Sequence, residues 1–330
     1  MGRILSGIQP TGVLHLGNIV GAVENWVRLQ YQHETFLCVV DWHAMTSKYG
    51  EPIDFRLESE RMATELLAVG IDPAKSHLFI QSDVPQHTEL HLLFSMITSI
   101  ARLERVPTFK EKVQQLSDAK EMETYGFLGY PVLQAADILI YKATHVPVGE
   151  DQLPHIELTR EIARRFNQFY GEVFPEPDPI LAEGTTNRLL GLDNRKMSKS
   201  YGNTINLSDS EEETTAKVDT MITDPARVRR KDPGHPEVCN VFAYHQVFNT
   251  PERTAFIEPA CRKAEIGCRE CKAELACKVN ERVATYRERY RYWTSRPDEV
   301  RQVLKEGASQ ALAVAEQTLN EAKRAVKMIR

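Results

Sequence analysis

The spacing of apolar residues changes period several times along the first 170 residues. "RILSGIQ" (3–9) and "TFLCVVDWHAMT" (35–46) are short apolar runs, rich in β-branched and aromatic residues. Both end in polar residues, as buried parallel strands do. "GNIVGAVENWVRLQ" (17–30) lies between them with helical spacing, so the order strand, turn, helix, strand predicts a βαβ unit. "DFRLESERMATELLAVGI" (54–71) predicts a second amphipathic helix closed by Gly70, and "SHLFIQSDV" (76–84) a third strand. Residues 86–106 read as helix, and 107–128 as a polar, Lys-rich excursion. "LGYPVLQAADILIYKATHVPVGED" (128–151) resumes the core, and "LPHIELTREIARRFNQFY" (153–170) is a long helix.

"FPEPDPILAEG" (174–184) reads as a Pro-rich boundary. After "RKMSKSYGNTI" (195–205) strand signals almost vanish, and Glu, Lys and Arg punctuate helical patterns. The expected fold class is α/β. A Rossmann-type doubly wound parallel sheet should form the catalytic domain (1–205), with an inserted helical segment at about 86–128. An all-α domain (206–330) should follow.

Composition sharpens this picture only in places. At 330 residues the chain fits two domains better than one core. A formal net charge of -5 argues against a generic polyanion binder, yet leaves room for a basic patch on one face. No apolar run reaches the ~18 residues that span a membrane. "MGRILSGIQP" lacks the apolar core of a signal peptide, so a cytoplasmic location is expected. Gly2 and Ser6 match a myristoylation pattern, but the apolar residues around them read better as a first buried strand. Disulfides are not expected in a chain with no export signal. Cys38, inside "FLCVV", reads as a small core residue.

Two segments carry the chemistry. "GIQPTGVLHLGN" (7–18) follows the first strand and opens a helix. Its glycines allow close backbone approach, and helix N-terminal amides favour an anion. His15 and Asn18 can donate to phosphate oxygens. "KMSKS" (196–200) places Lys196 and Lys199 three apart beside small hydroxyl residues. Two such lysines can meet a polyphosphate and stabilise charge developing on it. A doubly wound sheet brings loops of this kind together at the carboxyl ends of its strands.

This pair resembles the HIGH and KMSKS signatures of the class I aminoacyl-tRNA synthetases. "SGIQPTGVLHLGN", "LERVPTFKEK", "AADILIY", "VPVGEDQLPHIELTREIARRFN" and "RKMSKS" together resemble the bacterial tryptophanyl-tRNA synthetase family, in that family's order. The resemblance implies activation of L-tryptophan by ATP with Mg²⁺, release of pyrophosphate, and transfer to tRNA(Trp) by a homodimer. It implies an ATP site of Gln9, Pro10, Thr11, Gly17, Asn18, Gly149, Glu150, Asp151, Leu189, Lys196, Met197, Ser198, Lys199 and Ser200. His15, Asn18, Lys112, Lys196 and Lys199 would act on the phosphates. No general base is required, because the substrate carboxylate is already ionised.

Asp137 lies in the apolar "LQAADILIY". An unpaired buried carboxylate costs several kcal/mol, so it needs a partner. By resemblance that partner is the indole N–H, a donor-only group. Tyr130, Gln152 and His43 are candidates for the amino-acid ammonium and carboxylate, and Gln134 stands where many relatives carry Met against the indole. A tyrosine pocket would have to satisfy a phenol O–H instead, and the "GIQPTG" and "VPVGEDQ" wording favours tryptophan. A non-catalytic nucleic-acid-binding paralogue is the alternative from another class.

"ARVRRKDPG" (226–234) and "RERYRYW" (287–293) mix Arg with aromatic or apolar residues, as phosphate-contacting and base-stacking surfaces do, or as ion-paired helix faces do. Cys239, Cys261, Cys268 and Cys271 are separated by twenty-one, six and two residues. On one helix at ~100° per residue the last three fall within about 80° of one another, and Cys239 would arrive from a loop. Such a set suits Zn²⁺ or a [4Fe–4S] cluster, and spacing alone favours zinc. Resemblance to the cluster-bearing subset of the family favours [4Fe–4S]. Cys277 falls on the other side and reads as packing.

Overall fold

The computed structural model describes residues 2–107, 124–181 and 189–330. Five strands, β1 (Arg3–Ile8), β2 (Glu34–Val39), β3 (Ser76–Ile80), β4 (His145–Val148) and β5 (Asp178–Leu181), form one sheet. Its order is β3-β2-β1-β4-β5 and every pair is parallel. Residues Thr35–Val39 of β2 are buried without alternation, because both faces of a parallel sheet are covered. Among the described residues the α-helices of eight residues or more are α1 (Asp41–Lys48), α2 (Phe55–Val69), α3 (Gln86–Ser95), α4 (Tyr125–Ile140), α5 (Leu153–Tyr170), α6 (Glu211–Thr220), α7 (Asn240–Phe248), α8 (Pro251–Arg262), α9 (Cys268–Thr294) and α10 (Pro297–Ala325). Asp54 caps α2 by accepting from the Leu57 amide at 2.9 Å, and Gly70 ends it at φ 125°, as its sequence predicts. The Pro-rich segment is more than a boundary. Asp178–Leu181 forms an edge strand, where Pro179 can lack an N–H at little cost.

The chain packs as two compact units. One comprises Met1–Gly12, Asn25–Ala182 and Trp293–Arg330, and the other Val13–Glu24 and Glu183–Tyr292. These units do not follow the division at 205/206 expected from the sequence, for two reasons. The turn bearing His15 belongs with the second unit. The last helix returns to the sheet: α10 buries Val300, Leu304, Ala308, Ala311, Ala315, Leu319 and Ala322, mostly small side chains at helical spacing. Gly307 meets the backbone of β3, and a Cβ there would lie 2.0 Å from the Leu78 carbonyl oxygen. Among the described residues, 206–330 form no strand, as the change in composition predicts.

Gly→Ala inside a helix ordinarily stabilises by about 0.5–1 kcal/mol. At Gly307 the close approach should reverse the sign. Gly307→Ala should destabilise the protein by about 1–3 kcal/mol in urea unfolding, and a variant more stable than wild type would contradict the packing of α10.

Candidate active site

The first unit holds a buried carboxylate with three protein donors. Asp137, on α4, is 2% exposed. Its Oδ1 accepts from Gln81 Nε2 at 2.7 Å and from His87 Nδ1 at 2.6 Å, and its Oδ2 from His43 Nε2 at 2.7 Å. Tyr141 Oη lies 2.7 Å from the far nitrogen of His87. Burial pushes the Asp137 carboxyl upward, but the His43 charge and the hydrogen bonds of His43 and His87 outweigh it and hold the group below the usual carboxylate range. The partner demanded by burial is therefore already present in the protein. A carboxylate offers about four lone-pair positions, so three donors leave room for about one more. His43, expected to meet the amino-acid ammonium or carboxylate, instead commits its Nε2 to Asp137.

Tyr130, Gln134 and Asp137 sit at i, i+4 and i+7 of α4, on one face of that helix. Tyr130 Oη is 3.4 Å from His155 Nε2, and Tyr130 packs edge-on to His43 with ring centroids 6.3 Å apart. Gln134 and Gln152 are half-buried. His87 and Gln81 carry no motif signal. Gln81 was nonetheless locatable in principle, because it follows the last residue of β3, at a carboxyl end where such folds bind ligands.

Gln9, Pro10 and Thr11 leave the end of β1 in a tight turn, with the Thr11 amide donating to the Gln9 carbonyl at 2.9 Å. Gly149, Glu150 and Asp151 leave the end of β4. A Cβ on Gly149 would lie 2.7 Å from Asp151 Oδ1, so a larger residue there would displace the Asp151 side chain. β1 and β4 are neighbours at the point where strand order reverses, which is the ligand position of doubly wound sheets.

The second unit brings the other two signatures together. His15 Nδ1 accepts from the Asn18 amide at 3.2 Å, and Asn18 Oδ1 accepts from the His15 amide at 3.3 Å. This reciprocal cap fixes the neutral tautomer with its proton on Nε2. Burial first, then the Lys199 and Lys196 charges, push the His15 imidazole down to about 4. The Gly17 amide meets Met197 Sδ at 3.4 Å. Asn203 organises the lysine loop: its Oδ1 accepts from the Ser198 amide at 2.8 Å and its Nδ2 donates to the Lys196 carbonyl at 3.1 Å. A Cβ on Gly191 would lie 2.1 Å from Asn203 Nδ2, so glycine makes room for this clamp. Leu189 and Met197 are buried, while Lys196 and Lys199 are exposed. The Ser200 side chain and Lys112 lie outside the described residues.

Cys239, Cys261, Cys268 and Cys271 line one small cavity with Arg227 and Phe242. The single-helix picture needs correction. Cys261 ends α8 and Cys268 and Cys271 begin α9, so the turn between two helices makes them converge. All six cysteines are free thiols, Cys38 is buried in the core, and Cys277 is exposed. Burial pushes the Cys239 and Cys261 thiols up, against backbone hydrogen bonds at Cys239 and the Arg227 charge at Cys261, while burial and then the neighbouring cysteines push Cys271 up to about 12. Among the described residues no group of three or more His, Cys, Asp or Glu side chains is placed to hold a metal ion. The basic stretches divide. Arg227 and Arg287 turn inward, the latter onto Asn280 Oδ1 at 2.8 Å and Thr214 Oγ1 at 2.6 Å. Arg229, Arg230, Lys231 and Tyr292 are exposed.

Residues 2–284 match the family model of the class I tRNA synthetases (W and Y), and the chain belongs to that family. Within it, curated relatives 38–52% identical to the chain are tryptophan–tRNA ligases. The chain is 52% identical to the tryptophan–tRNA ligase of Thermotoga maritima over 99% of each chain. It is 42% identical to that of Aquifex aeolicus over 99% of this chain and 100% of the relative. A tryptophanyl-tRNA synthetase from Campylobacter jejuni, solved with ADP and tryptophan, superposes with TM-score 0.87 at 33% identity, covering 98% of this chain and 99% of that one.

The His15 ring should titrate near pH 4, where its environment places it. An NMR titration of the imidazole tests this, and a midpoint at or above the ordinary value of about 6.5 would contradict the buried, lysine-flanked setting.

Proposed function

We propose that the chain is a tryptophan–tRNA ligase. It joins L-tryptophan to ATP·Mg²⁺, forming tryptophanyl-adenylate and pyrophosphate, and passes the amino acid to tRNA(Trp). The observation that carries this reading is Asp137: a buried, ionised carboxylate, held by three protein donors, with one acceptor position left for a group that only donates. An indole N–H is such a group. A phenol O–H could donate to the same position but would leave its own oxygen in need of a donor. The tryptophan specificity of the relatives supports the same choice.

The chemistry is positioning and charge stabilisation, since the tryptophan carboxylate is itself the nucleophile. His15 donates from Nε2 and Asn18 helps fix its tautomer. Lys196 and Lys199, on a loop clamped by Asn203, stabilise the leaving pyrophosphate, with Lys112 assigned to the triphosphate by resemblance. Gln9–Thr11 and Gly149–Asp151 serve the nucleotide, with a carboxylate suited to ribose hydroxyls. Tyr130 and Gln152 serve the amino acid, and Gln134 flanks the indole.

Cys239, Cys261, Cys268 and Cys271 fit a metal centre, because four thiols share one cavity. A [4Fe–4S] cluster is the first reading and Zn²⁺ the second. Either would tie α8, α9 and the loop before α7 together. The exposed Leu92, Met96, Ile100 and Tyr125 support a homodimer face. The exposed Arg229, Arg230, Lys231 and Tyr292 suit tRNA contact. Among the described residues no helix is long and apolar enough to cross a membrane, which agrees with the proposed cytoplasmic location.

Tryptophan should drive ATP–pyrophosphate exchange by the pure protein and tyrosine should not. Lys199→Ala should lower kcat by about 10²–10³, the usual cost of removing one such charge stabiliser. Absence of tryptophan-dependent exchange in the wild-type protein would favour the non-catalytic paralogue.

A further inference from the structure

Arg227 is 8% exposed, yet no carboxylate pairs with it among the described residues. Its Nη2 donates to the Arg230 carbonyl at 2.9 Å and the Ile266 carbonyl at 2.8 Å, and its Nη1 to Cys261 Sγ at 3.5 Å. Its Nε is buried with no partner. The guanidinium cannot shed its charge in a protein, and burying a cation without an anion is costly. Gly234 preserves the arrangement: a Cβ there would lie 2.4 Å from Cys261 Sγ and 3.4 Å from Arg227 Cδ.

Metal uptake by the four cysteines that line the same cavity would supply that anion. Four thiolates around Zn²⁺, or around an oxidised [4Fe–4S] core of the same charge, leave a dianion in the cavity that Arg227 lines. We infer that Arg227 is the counter-ion of this tetrathiolate centre, offsetting its charge and donating to the Cys261 sulfur. The inference rests on the reading that the four cysteines hold a metal. The same guanidinium binds the carbonyl of Arg230, so filling the centre also anchors the exposed basic loop Arg229–Lys231.

The test compares wild type, Arg227→Gln and Arg227→Lys, each purified anaerobically and reconstituted with iron and sulfide or with zinc. Bound iron and zinc are measured, and metal loss under EDTA is followed by visible absorbance and metal analysis. Arg227→Gln should lose metal roughly 10–100-fold faster than wild type, the usual effect of removing a partner of a ligand. Arg227→Lys, which keeps the charge, should stay within about tenfold of wild type by the same scale. Equal retention by Arg227→Gln and wild type would overturn the inference, as would loss from Arg227→Lys as fast as from Arg227→Gln. If Arg227→Gln does not fold, the Arg227→Lys rate decides against the same tenfold bound. A wild-type protein that takes up neither iron nor zinc would overturn the metal centre itself, and that failure is visible before any variant is made.

Discussion

An ionised carboxylate can persist inside an apolar helix only if donors surround it. Asp137 meets that condition by drawing on three separate elements: His43 on α1 just after β2, Gln81 just after β3, and His87 on α3. The parallel register that sets Val39 beside Ile80 brings the carboxyl ends of β2 and β3 level, so these donors can reach one point. Tyr141 extends the chain of hydrogen bonds through His87 and stacks on Phe36 of β2 with centroids 4.4 Å apart. Sheet register and core packing thus meet in one side chain. Removing a donor would leave a buried charge under-satisfied, a change that weakens the fold as well as the pocket.

The second unit solves a different electrostatic problem. Two exposed lysines, Lys196 and Lys199, stand near a histidine that stays neutral. Burial and the lysines' own charge keep His15 unprotonated, and the Asn18 amide claims its Nδ1. The donor nitrogen is therefore selected before any substrate arrives. Further along, burial raises three of the cysteine thiols, and a buried arginine lies beside them with no carboxylate paired to it among the described residues. Each feature is costly alone. The arginine and the four cysteines line one cavity.

Much of this was legible in the sequence, where period and punctuation speak locally. β1, β2, β3 and α2 follow from apolar spacing, Asp54 and Gly70. The HIGH-like turn and the lysine loop announce themselves as a pair. Other features depend on distance along the chain and leave no local trace. Proline disguised β5, because an edge strand tolerates what an inner strand does not. The small-residue stripe of α10 has the same period whichever surface it meets, so its return to β3 was hidden. His87, Gln81 and Asn203 are single polar residues whose roles exist only through partners 50, 56 and 5 positions away. The cysteines were gathered correctly, but on two helices and a loop rather than on one helix and a loop.

The central claim is that the remaining acceptor position of Asp137 receives the indole N–H. Benzothienylalanine replaces that N–H with sulfur at nearly the same shape. Its kcat/KM in ATP–pyrophosphate exchange, measured against tryptophan, tests the claim most directly. A site built to hydrogen-bond a substrate N–H rejects the analogue that lacks it by on the order of 10⁴, and a loss of that size is the predicted result. Comparable kcat/KM for the two amino acids would show that Asp137 serves only the histidines and the glutamine around it, and would contradict the account.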